Sequence, residues 1–316
     1  MTLTSKPTEE ARPIRIIEVG PRDGLQNESC SLSAKTRVEF INALSASGVS
    51  EIEAGAFVSP NAVPQMSGSD EVFRQLTRME GVTYSALVPN ERGLDRALEA
   101  GVQKIAVFTA ASNTFNLHNI HATITQSIAR LRPVVSRARE AGLQVRGYIS
   151  TVVFCPYEGP IHPANVMGVM RQLLDIGVEE IALGETLGKA SPRDFRPLLD
   201  KVCSYLSPQR VALHLHDTYG LAVANALNAW EQYGITAFDG SAGGLGGCPY
   251  APGASGNVAT EDLAFAFKAS GALVSVDERK VVTAAQKIAE ELGRTISSKL
   301  FQVLALRNDL APQLTG

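Results

Sequence analysis

Two of the chain's five histidines, His214 and His216, stand on alternate residues in the segment HLHDTYG, where an apolar run meets a polar turn. Alternate residues of a strand face the same side, so both imidazoles can point to one place. The simpler account is that one or both are hydrogen-bonded histidines inside the fold. For an alternating pair at the end of a strand, with an aspartate predicted nearby, the pattern favours a divalent metal site.

Arg22 and Asp23 lie in GPRDGLQNE, residues 20–28, directly after another apolar run. Neighbours on a strand face opposite ways, so we expect them to be poor partners for each other and to act separately. Asp23 would then bind the metal and Arg22 the substrate; the alternative is a surface turn with a local ion pair. Oxygen and nitrogen ligands suit Mg²⁺ or Mn²⁺, and Zn²⁺ also fits two imidazoles.

Three further residues have side chains that could do chemistry. Glu53 and Glu185 end apolar runs, where an unpaired carboxylate is costly. Pairing with a nearby arginine or lysine is the simpler account, and a role in a site is the alternative. Cys248 lies in a glycine-rich segment, and a thiol there can pass a proton, although most cysteines are merely small apolar residues. Asp217 is expected to support its turn or to orient a metal ligand.

A repeated pattern indicates the elements that position these residues. A helical segment, a glycine, an aliphatic residue and a short apolar run recur at Gly48, Gly101, Gly142, Gly177 and Gly234. Glycine fits the left-handed position that ends a helix, and nearly continuous apolar runs are typical of parallel strands. Strands are predicted near Ile14–Glu18, Glu51–Ala54, Tyr84–Val88, Lys104–Phe108, Val145–Ser150, Glu180–Leu183, Val211–His214 and Ala237–Ser241. Helices are predicted near Ala34–Ala46, Ile124–Ala141, Ala164–Leu174 and Ala222–Trp230.

Eight strand–helix units indicate an α/β fold, a single (β/α)8 TIM barrel, with a doubly wound open sheet as the structural alternative. We expect a flexible segment over residues 1–13 and a catalytic barrel over residues 14–316, with a C-terminal helical extension that includes Val281–Leu292. Active-site residues of such barrels lie at the C-terminal ends of the strands. This rule brings together Arg22, Asp23, Glu53, Glu185, His214, His216, Cys248 and Asn257.

The composition excludes several classes of protein. The 316 residues are 45% hydrophobic and 19% charged, with a net charge of -3, so no basic surface for nucleic acid is expected. No apolar run approaches the roughly 18 residues that cross a membrane. The N-terminal segment lacks the apolar core of a secretion signal, and Glu9 and Glu10 are unusual in a transit peptide. Four widely spaced cysteines without a CxxC pair favour a reducing, cytoplasmic setting.

Four motifs stand out in the sequence: GPRDGLQNE at 20–28, FVSPNAVPQM at 57–66, HLHDTYG at 214–220 and GGLGGCPYAPGASGNVATEDL at 243–263. Together they closely resemble the hydroxymethylglutaryl-CoA lyase family, which belongs to the metal-dependent lyase and Claisen-condensing barrels. The likeness runs from about Ile14 to Leu300, and the last motif is the most specific. The RDG and HxH elements are shared with the related synthases.

The resemblance implies a reaction, the cleavage of 3-hydroxy-3-methylglutaryl-CoA to acetyl-CoA and acetoacetate, and with it an acyl-CoA substrate, a divalent cation and a homodimer. The metal ligands of that family correspond to Asp23, His214, His216 and Asn257. Its catalytic residues correspond to Arg22, Cys248, His214 and Glu185. Its substrate-binding residues correspond to Arg22, Glu53 and Gln26, and Glu53 and Asp262 match acids that support the site.

Three positions depart from the family pattern. Serine is typical where Ala56 and Ala182 stand, and aspartate where Glu185 stands. Losing two hydroxyls makes an acyl pocket more apolar and slightly larger, which favours as an alternative a lyase for a related tertiary 3-hydroxyacyl-CoA such as citramalyl-CoA. A condensing synthase fits the Cys248 segment less well. A non-catalytic CoA-binding barrel is the alternative of a different class, and the intact Arg22 and Asp23 argue against it.

Overall fold

The computed structural model describes residues 13–247 and 256–306, and these form a closed barrel of eight parallel strands with helices around it. The barrel strands are β1 (Arg15–Glu18), β2 (Glu51–Ala56), β3 (Thr83–Leu87), β4 (Lys104–Ala110), β5 (Gln144–Ser150), β8 (Glu180–Glu185), β9 (Val211–Leu215) and β10 (Ala237–Gly240). Strands β6 (Phe154–Cys155) and β7 (Gly159–Pro160) form a small separate hairpin. The predicted barrel is therefore confirmed, and the open-sheet alternative is wrong because β1 pairs with both β2 and β10.

Helices connect the strands and continue past the last one. They are α1 (Ala34–Ser45), α2 (Ser69–Gln75), α3 (Glu91–Glu99), α4 (Asn113–Ile120), α5 (Ile124–Glu140), α6 (Pro163–Asp175), α7 (Pro192–Tyr205), α8 (Ala222–Tyr233), α9 (Thr260–Ala269), α10 (Glu278–Leu292) and α11 (Lys299–Leu306). The C-terminal extension predicted from the sequence corresponds to α10 and α11. Within the described residues, no helix is both long enough and apolar enough to cross a membrane.

The glycines that end the helical patterns have the predicted backbone conformation. Gly48, Gly101, Gly142, Gly177 and Gly234 all have positive φ, between 69° and 105°. A residue with a Cβ is strained there, so each glycine lets the chain leave a helix and enter the next strand. This repeated turn sets the spacing of the strand–helix units, and through it the residues that reach the barrel mouth.

The interior of the barrel is charged at the end opposite the mouth. Lys104 Nζ lies 2.9 Å from Glu51 Oε2 and 3.3 Å from Glu180 Oε1, and Arg15 pairs with both glutamates. Arg146 Nε lies 3.3 Å from the same Glu180 oxygen. The apolar core lies instead between the strands and the helices, where the outward-facing side chains of the strands are fully buried.

Candidate metal centre

Arg22 and Asp23 follow strand β1, as the sequence predicts, but the geometry of a strand does not extend to them. They lie in a π-helical turn, Gly20–Gly24, in which Val19 O accepts hydrogen bonds from Arg22 N at 3.1 Å and Asp23 N at 2.7 Å. The turn directs both side chains to the same region, and Arg22 Nη1 lies 2.5 Å from Asp23 Oδ1. The expectation that the two residues are poor partners is therefore wrong, because the alternation of a strand does not apply inside a tight helical turn.

The glycines on either side of this turn allow a close approach to strand β10. A Cβ added to Gly24 would lie 2.8 Å from Ser241 Oγ, and one added to Gly20 would lie 2.6 Å from Glu18 Oε1. Glu18 is fully buried and binds the backbone on both sides of this contact, accepting hydrogen bonds from Gly20 N at 2.7 Å and Ala242 N at 3.0 Å. The turn is thus fixed to the end of β10.

Arg22 is held by a second acid from the neighbouring strand. Its Nη2 donates to Glu53 Oε2 at 2.9 Å, and that oxygen also accepts from Tyr148 OH at 2.9 Å. The guanidinium carbon lies 5.7 Å from the centre of the Tyr148 ring, a cation–π contact. The pairing that was the simpler account of Glu53 is therefore present, and it fixes the guanidinium beside Asp23.

Tyr148 is a residue of this site that the sequence did not single out. Tyr148 lies in the apolar run of β5, where a tyrosine has the pattern of an ordinary core residue. Its hydrogen-bond and ring contacts are what set it apart from the other core residues. Its ring also meets the His214 ring edge-on, with 5.7 Å between centroids. A polar hydroxyl in the middle of a buried strand was the available signal, because such a hydroxyl needs a partner.

Asp23, His214 and His216 converge at the barrel mouth. Their ligand atoms all lie within 4.8 Å of one another, and the two imidazole rings are 5.4 Å apart between centroids. His214 Nε2 is 3.8 Å from Asp23 Oδ2. The buried Nδ1 of His216 has no hydrogen-bond partner in the part of the chain that the structure describes. An unpaired buried nitrogen beside a carboxylate fits a cation that binds nitrogen and oxygen together.

The surroundings of Asp23 and His216 favour the ligand forms of these two groups, whereas those of His214 do not: burial opposes the charge of His214, but the hydrogen bond to Asp239 and the charge of Asp23 raise its pKa. Burial and the nearby His214 together lower the pKa of His216 to about 4. Burial opposes ionisation of Asp23, but the charges of Arg22 and the two histidines hold the pKa of that carboxyl well below its usual range. At neutral pH the site therefore presents a neutral His216 imidazole and an ionised Asp23 carboxylate, which are the ligand forms of both groups.

Asn257 reaches the same centre from the segment after β10. Its Nδ2 donates to Asp23 Oδ2 at 2.8 Å and to Leu245 O at 3.2 Å, and its backbone forms an isolated bridge with His216. Asn257 thus lies beside the three candidate ligands and contacts one of them, Asp23, through its side-chain amide. Cys248, predicted to be catalytic, lies outside the described residues.

Glu185 ends β8 and is buried, and Gln26 follows the π-helical turn. Neither carboxylate oxygen of Glu185 has a hydrogen-bond partner of normal geometry among the described residues, and the same holds for Gln26 Oε1. Burial raises the pKa of Glu185 to about 7, and the backbone amides of Gly188 and Ala190 only partly offset this effect. The pairing with a basic residue that was the simpler account of Glu185 is absent within the described part of the chain.

Three other acids have structural partners instead. Asp217 Oδ1 accepts from Ala222 N at 2.9 Å at the start of α8, so the predicted support of the turn is present. Asp262 accepts from Lys299 N at 2.9 Å and Leu300 N at 2.8 Å at the start of α11. Its neighbour Glu261 holds the beginning of the glycine-rich segment, because both of its oxygens lie 3.1 Å from Gly243 N.

Comparison with known proteins agrees with this geometry. The HMGL-like family model matches residues 13–288. Hydroxymethylglutaryl-CoA lyase from Pseudomonas mevalonii is 46% identical over 93% of this chain and 98% of its own length. A 3-hydroxy-3-isohexenylglutaryl-CoA/hydroxymethylglutaryl-CoA lyase from Pseudomonas aeruginosa is 44% identical over 93% of this chain and 97% of its own.

A solved structure extends the likeness to three dimensions. The HMG-CoA lyase of Bacillus subtilis superposes with a TM-score of 0.91 at 42% identity, over 93% of this chain and 98% of that chain. The chain therefore belongs to the HMGL-like family.

Proposed function

We propose that this chain is a carbon–carbon lyase that cleaves 3-hydroxy-3-methylglutaryl-CoA to acetyl-CoA and acetoacetate with the help of a divalent cation. The observation that carries the proposal is the convergence of Asp23, His214 and His216 within 4.8 Å, beside the guanidinium of Arg22. The relatives support the acyl-CoA substrate, because they are named as hydroxymethylglutaryl-CoA lyases and this chain matches them over nearly their whole length.

Asp23, His214 and His216 would hold the cation, with Asn257 as a fourth ligand. Two neutral imidazoles and hard oxygen donors suit Mn²⁺ and Mg²⁺, and Mn²⁺ tolerates nitrogen ligands better. When bound, the cation would polarise substrate oxygens and lower the pKa of the tertiary hydroxyl. The acidic Asp23 and the neutral His216 are ready to bind it without first losing a proton.

The protein side chains would supply the remaining steps. The hydroxyl proton of the substrate passes to a base, for which Glu185 is one candidate; His214 is the other only where its Nε2 is not bound to the cation. The electrons of the breaking carbon–carbon bond pass to the thioester, whose enolate oxygen Arg22 stabilises. Cys248 then gives its proton to the acetyl-CoA carbanion. Glu53 and Tyr148 keep the guanidinium in place, and Glu53 and Gln26 would contact the substrate.

A related tertiary 3-hydroxyacyl-CoA is the second candidate substrate, and two alanines support it. A Cβ on Gly55 would lie 2.8 Å from Ser69 Oγ, so Gly55 faces the helices and Ala56 faces the barrel mouth. Ala182 pairs with Tyr148 across the sheet and lies on the same face as Glu180, inside the barrel. Both methyl groups are buried, so a pocket without the two family hydroxyls would accept a larger or differently branched acyl group.

The test is acetyl-CoA release from chelator-stripped protein, with and without Mg²⁺ or Mn²⁺, with HMG-CoA and citramalyl-CoA supplied side by side. We expect cation-dependent cleavage with a higher kcat/KM for HMG-CoA. A higher kcat/KM for citramalyl-CoA would instead support the second candidate. No cleavage of either thioester by cation-loaded protein would contradict both and revive a non-catalytic CoA-binding barrel.

We also propose an oligomeric state and a cellular compartment for this chain. The family resemblance supports a homodimer, which light scattering at micromolar concentration would test. The cysteine distribution supports a reducing, cytoplasmic setting.

A further inference from the structure

We propose that Asp239, held in place by Arg146, is a positioning residue that fixes the ring orientation and tautomer of His214. The inference rests on the proposed cation site, because it concerns how one ligand is presented to that site. Asp239 lies on strand β10 beside β9, where its register partner is His214 itself. Neither Asp239 nor Arg146 was distinguished by any motif in the sequence.

The two nitrogens of His214 have different environments. Nδ1 lies 3.0 Å from Asp239 Oδ2, whereas Nε2 faces the opposite way, 3.8 Å from Asp23 Oδ2. A carboxylate can only accept a hydrogen bond, so Asp239 selects the tautomer with the proton on Nδ1. The lone pair of Nε2 is then free and directed at the centre where Asp23 and His216 meet.

Asp239 is itself held in place by a buried arginine. Its Oδ1 accepts from Arg146 Nη2 at 2.6 Å, and only 2% of Asp239 and 1% of Arg146 are exposed. The Arg146 guanidinium lies under the Tyr148 ring, 4.8 Å from its centre, and Glu180 approaches it from the other side. If Arg146 moved away, the buried carboxylate of Asp239 would lose its arginine partner, which is costly inside the barrel.

The geometry distinguishes positioning from a purely structural ion pair. An arginine and an aspartate that serve only each other often form two parallel hydrogen bonds. Here Arg146 takes one oxygen of Asp239 and leaves the other for His214. The carboxylate is thus divided between a buried anchor and a predicted ligand, and a line of contacts runs from the charged lower interior of the barrel to the mouth.

The experiment compares Mn²⁺ binding to three chelator-stripped proteins by calorimetry and by the EPR signal of free Mn²⁺. Wild type gives the reference, Asp239→Asn keeps the size of the side chain but removes its charge, and Glu51→Gln is the matched control. Glu51 is also buried in the barrel and paired with Lys104, but it does not contact His214. We expect Asp239→Asn to weaken Mn²⁺ binding about 10–100-fold, and Glu51→Gln to bind within about threefold of wild type, whatever its melting temperature.

The outcomes separate this inference from the proposed function. If wild type does not bind Mn²⁺, or if His216→Ala, measured alongside as a fourth protein, binds it as wild type does, the cation site itself is wrong. If wild type binds Mn²⁺ and folded Asp239→Asn binds it equally well, only the positioning role is overturned. Equal weakening in Asp239→Asn and Glu51→Gln would also overturn it, because the loss would then follow the removal of any buried charge.

A second measurement is made on the unmodified protein, and a variant serves only to assign the signal. In ¹⁵N-histidine-labelled, metal-free wild type, the two-bond ¹H–¹⁵N spectrum reports which nitrogen of the neutral His214 ring carries the proton. His214→Gln assigns the signal by its disappearance. A proton on Nδ1 is expected from the contact with Asp239, and a proton on Nε2 would overturn the proposal.

Discussion

Arg22 is the residue on which most contacts of the site converge. One end of its guanidinium meets Asp23 and the other meets Glu53, while Tyr148 covers its face. A planar fork can satisfy two carboxylates at once, whereas a lysine ammonium on a flexible stem cannot match that geometry. Arg22 can therefore stabilise a developing negative charge without first reorganising, because both acids already hold it.

We expect Arg22→Lys to lower kcat by about 100-fold or more. The positive charge is kept, so the loss measures the fork geometry rather than the charge alone. Steady-state kinetics with saturating Mn²⁺ provides the measurement, and Mn²⁺ affinity provides the control, which should stay within about tenfold of wild type. A kcat within threefold of wild type would show that Arg22 does not act on the transition state.

His216 and Cys248 are predicted to have separable roles. His216→Ala removes a ligand and should weaken Mn²⁺ binding on the order of 100-fold or more. Cys248→Ser should leave Mn²⁺ binding unchanged and lower kcat by about 100–10,000-fold, because a serine hydroxyl is a much weaker acid than a thiol. Calorimetry and single-turnover kinetics measure the two effects separately. Loss of the cation in both variants would contradict this division of roles.

At the level of elements, the sequence is most informative where structure is periodic. All eight barrel strands lie where apolar runs predict them, and the helix-ending glycines have the expected positive φ. The π-helical turn at Gly20–Gly24 was not predictable, because Glu18, which accepts from Gly20 N, also accepts from Ala242 N, 224 residues further along the chain. The hairpin of β6 and β7 was also missed, since two-residue strands give no periodic signal.

The residues of the candidate site also divide into those that periodic patterns predict and those that they do not. The convergence of His214 and His216 follows from alternation along β9, and that of Asp23 and Glu53 from the barrel rule. Tyr148 and Asp239 were missed because a single polar residue inside an apolar run is recognised only by its partners, and the partners lie on other strands.

The loop after β8 allows a test of how tightly the site is surrounded. Gly188 has φ +69°, and a Cβ there would lie 2.7 Å from the backbone nitrogen of Thr218, two residues after His216. Gly142 has φ +78° with nothing within 4 Å, which makes it the matched control. Gly142→Ala should lose about 1–2 kcal/mol of unfolding free energy from the backbone conformation alone. Gly188→Ala should lose a further 1–3 kcal/mol, roughly, from the clash.

Urea unfolding of both variants measures the difference, and kcat/KM reports its effect on the site. Gly188→Ala should lower kcat/KM, because relieving the clash displaces the segment that follows His216. Gly142→Ala should not change it, since its turn lies at the opposite end of the barrel before β5. Equal losses of unfolding free energy in the two variants would indicate that the loop after β8 moves to accommodate the added methyl group without further loss of stability.

For the whole molecule, buried acids make stability depend on pH in two directions. Burial opposes ionisation of Glu180, but Arg146 and Lys104 lower its pKa to about 2. Its contribution is complete above the unfolded value near 4.5 and is lost as pH falls toward 2. Burial raises the pKa of Glu18 to about 7 and that of Glu261 to about 8. These two acids act in the opposite direction, so the metal-free protein should be most stable in mildly acidic solution.

Glu261 provides the clearest test of this pH dependence of stability. Below about pH 4.5 it is protonated in both states and contributes no difference. Between pH 4.5 and 8 the unfolded chain ionises while the folded protein keeps the proton, so the unfolding free energy falls as pH rises. The total loss is roughly 3–5 kcal/mol, reached above pH 8. Glu261→Gln removes this titration, and its amide oxygen can still accept from Gly243 N, so we expect a shallower slope from pH 5 to 8.

Chelator-treated wild type and Glu261→Gln, unfolded in urea at half-unit steps of pH, provide the measurement. Glu290→Gln is the control, because that side chain lies exposed on α10 and meets water in both states. Its slope should match wild type. If Glu261→Gln has the wild-type slope as well, then Glu261 is ionised in the folded protein. Its two contacts with Gly243 N would then be bonds of a carboxylate that fixes the start of the glycine-rich segment.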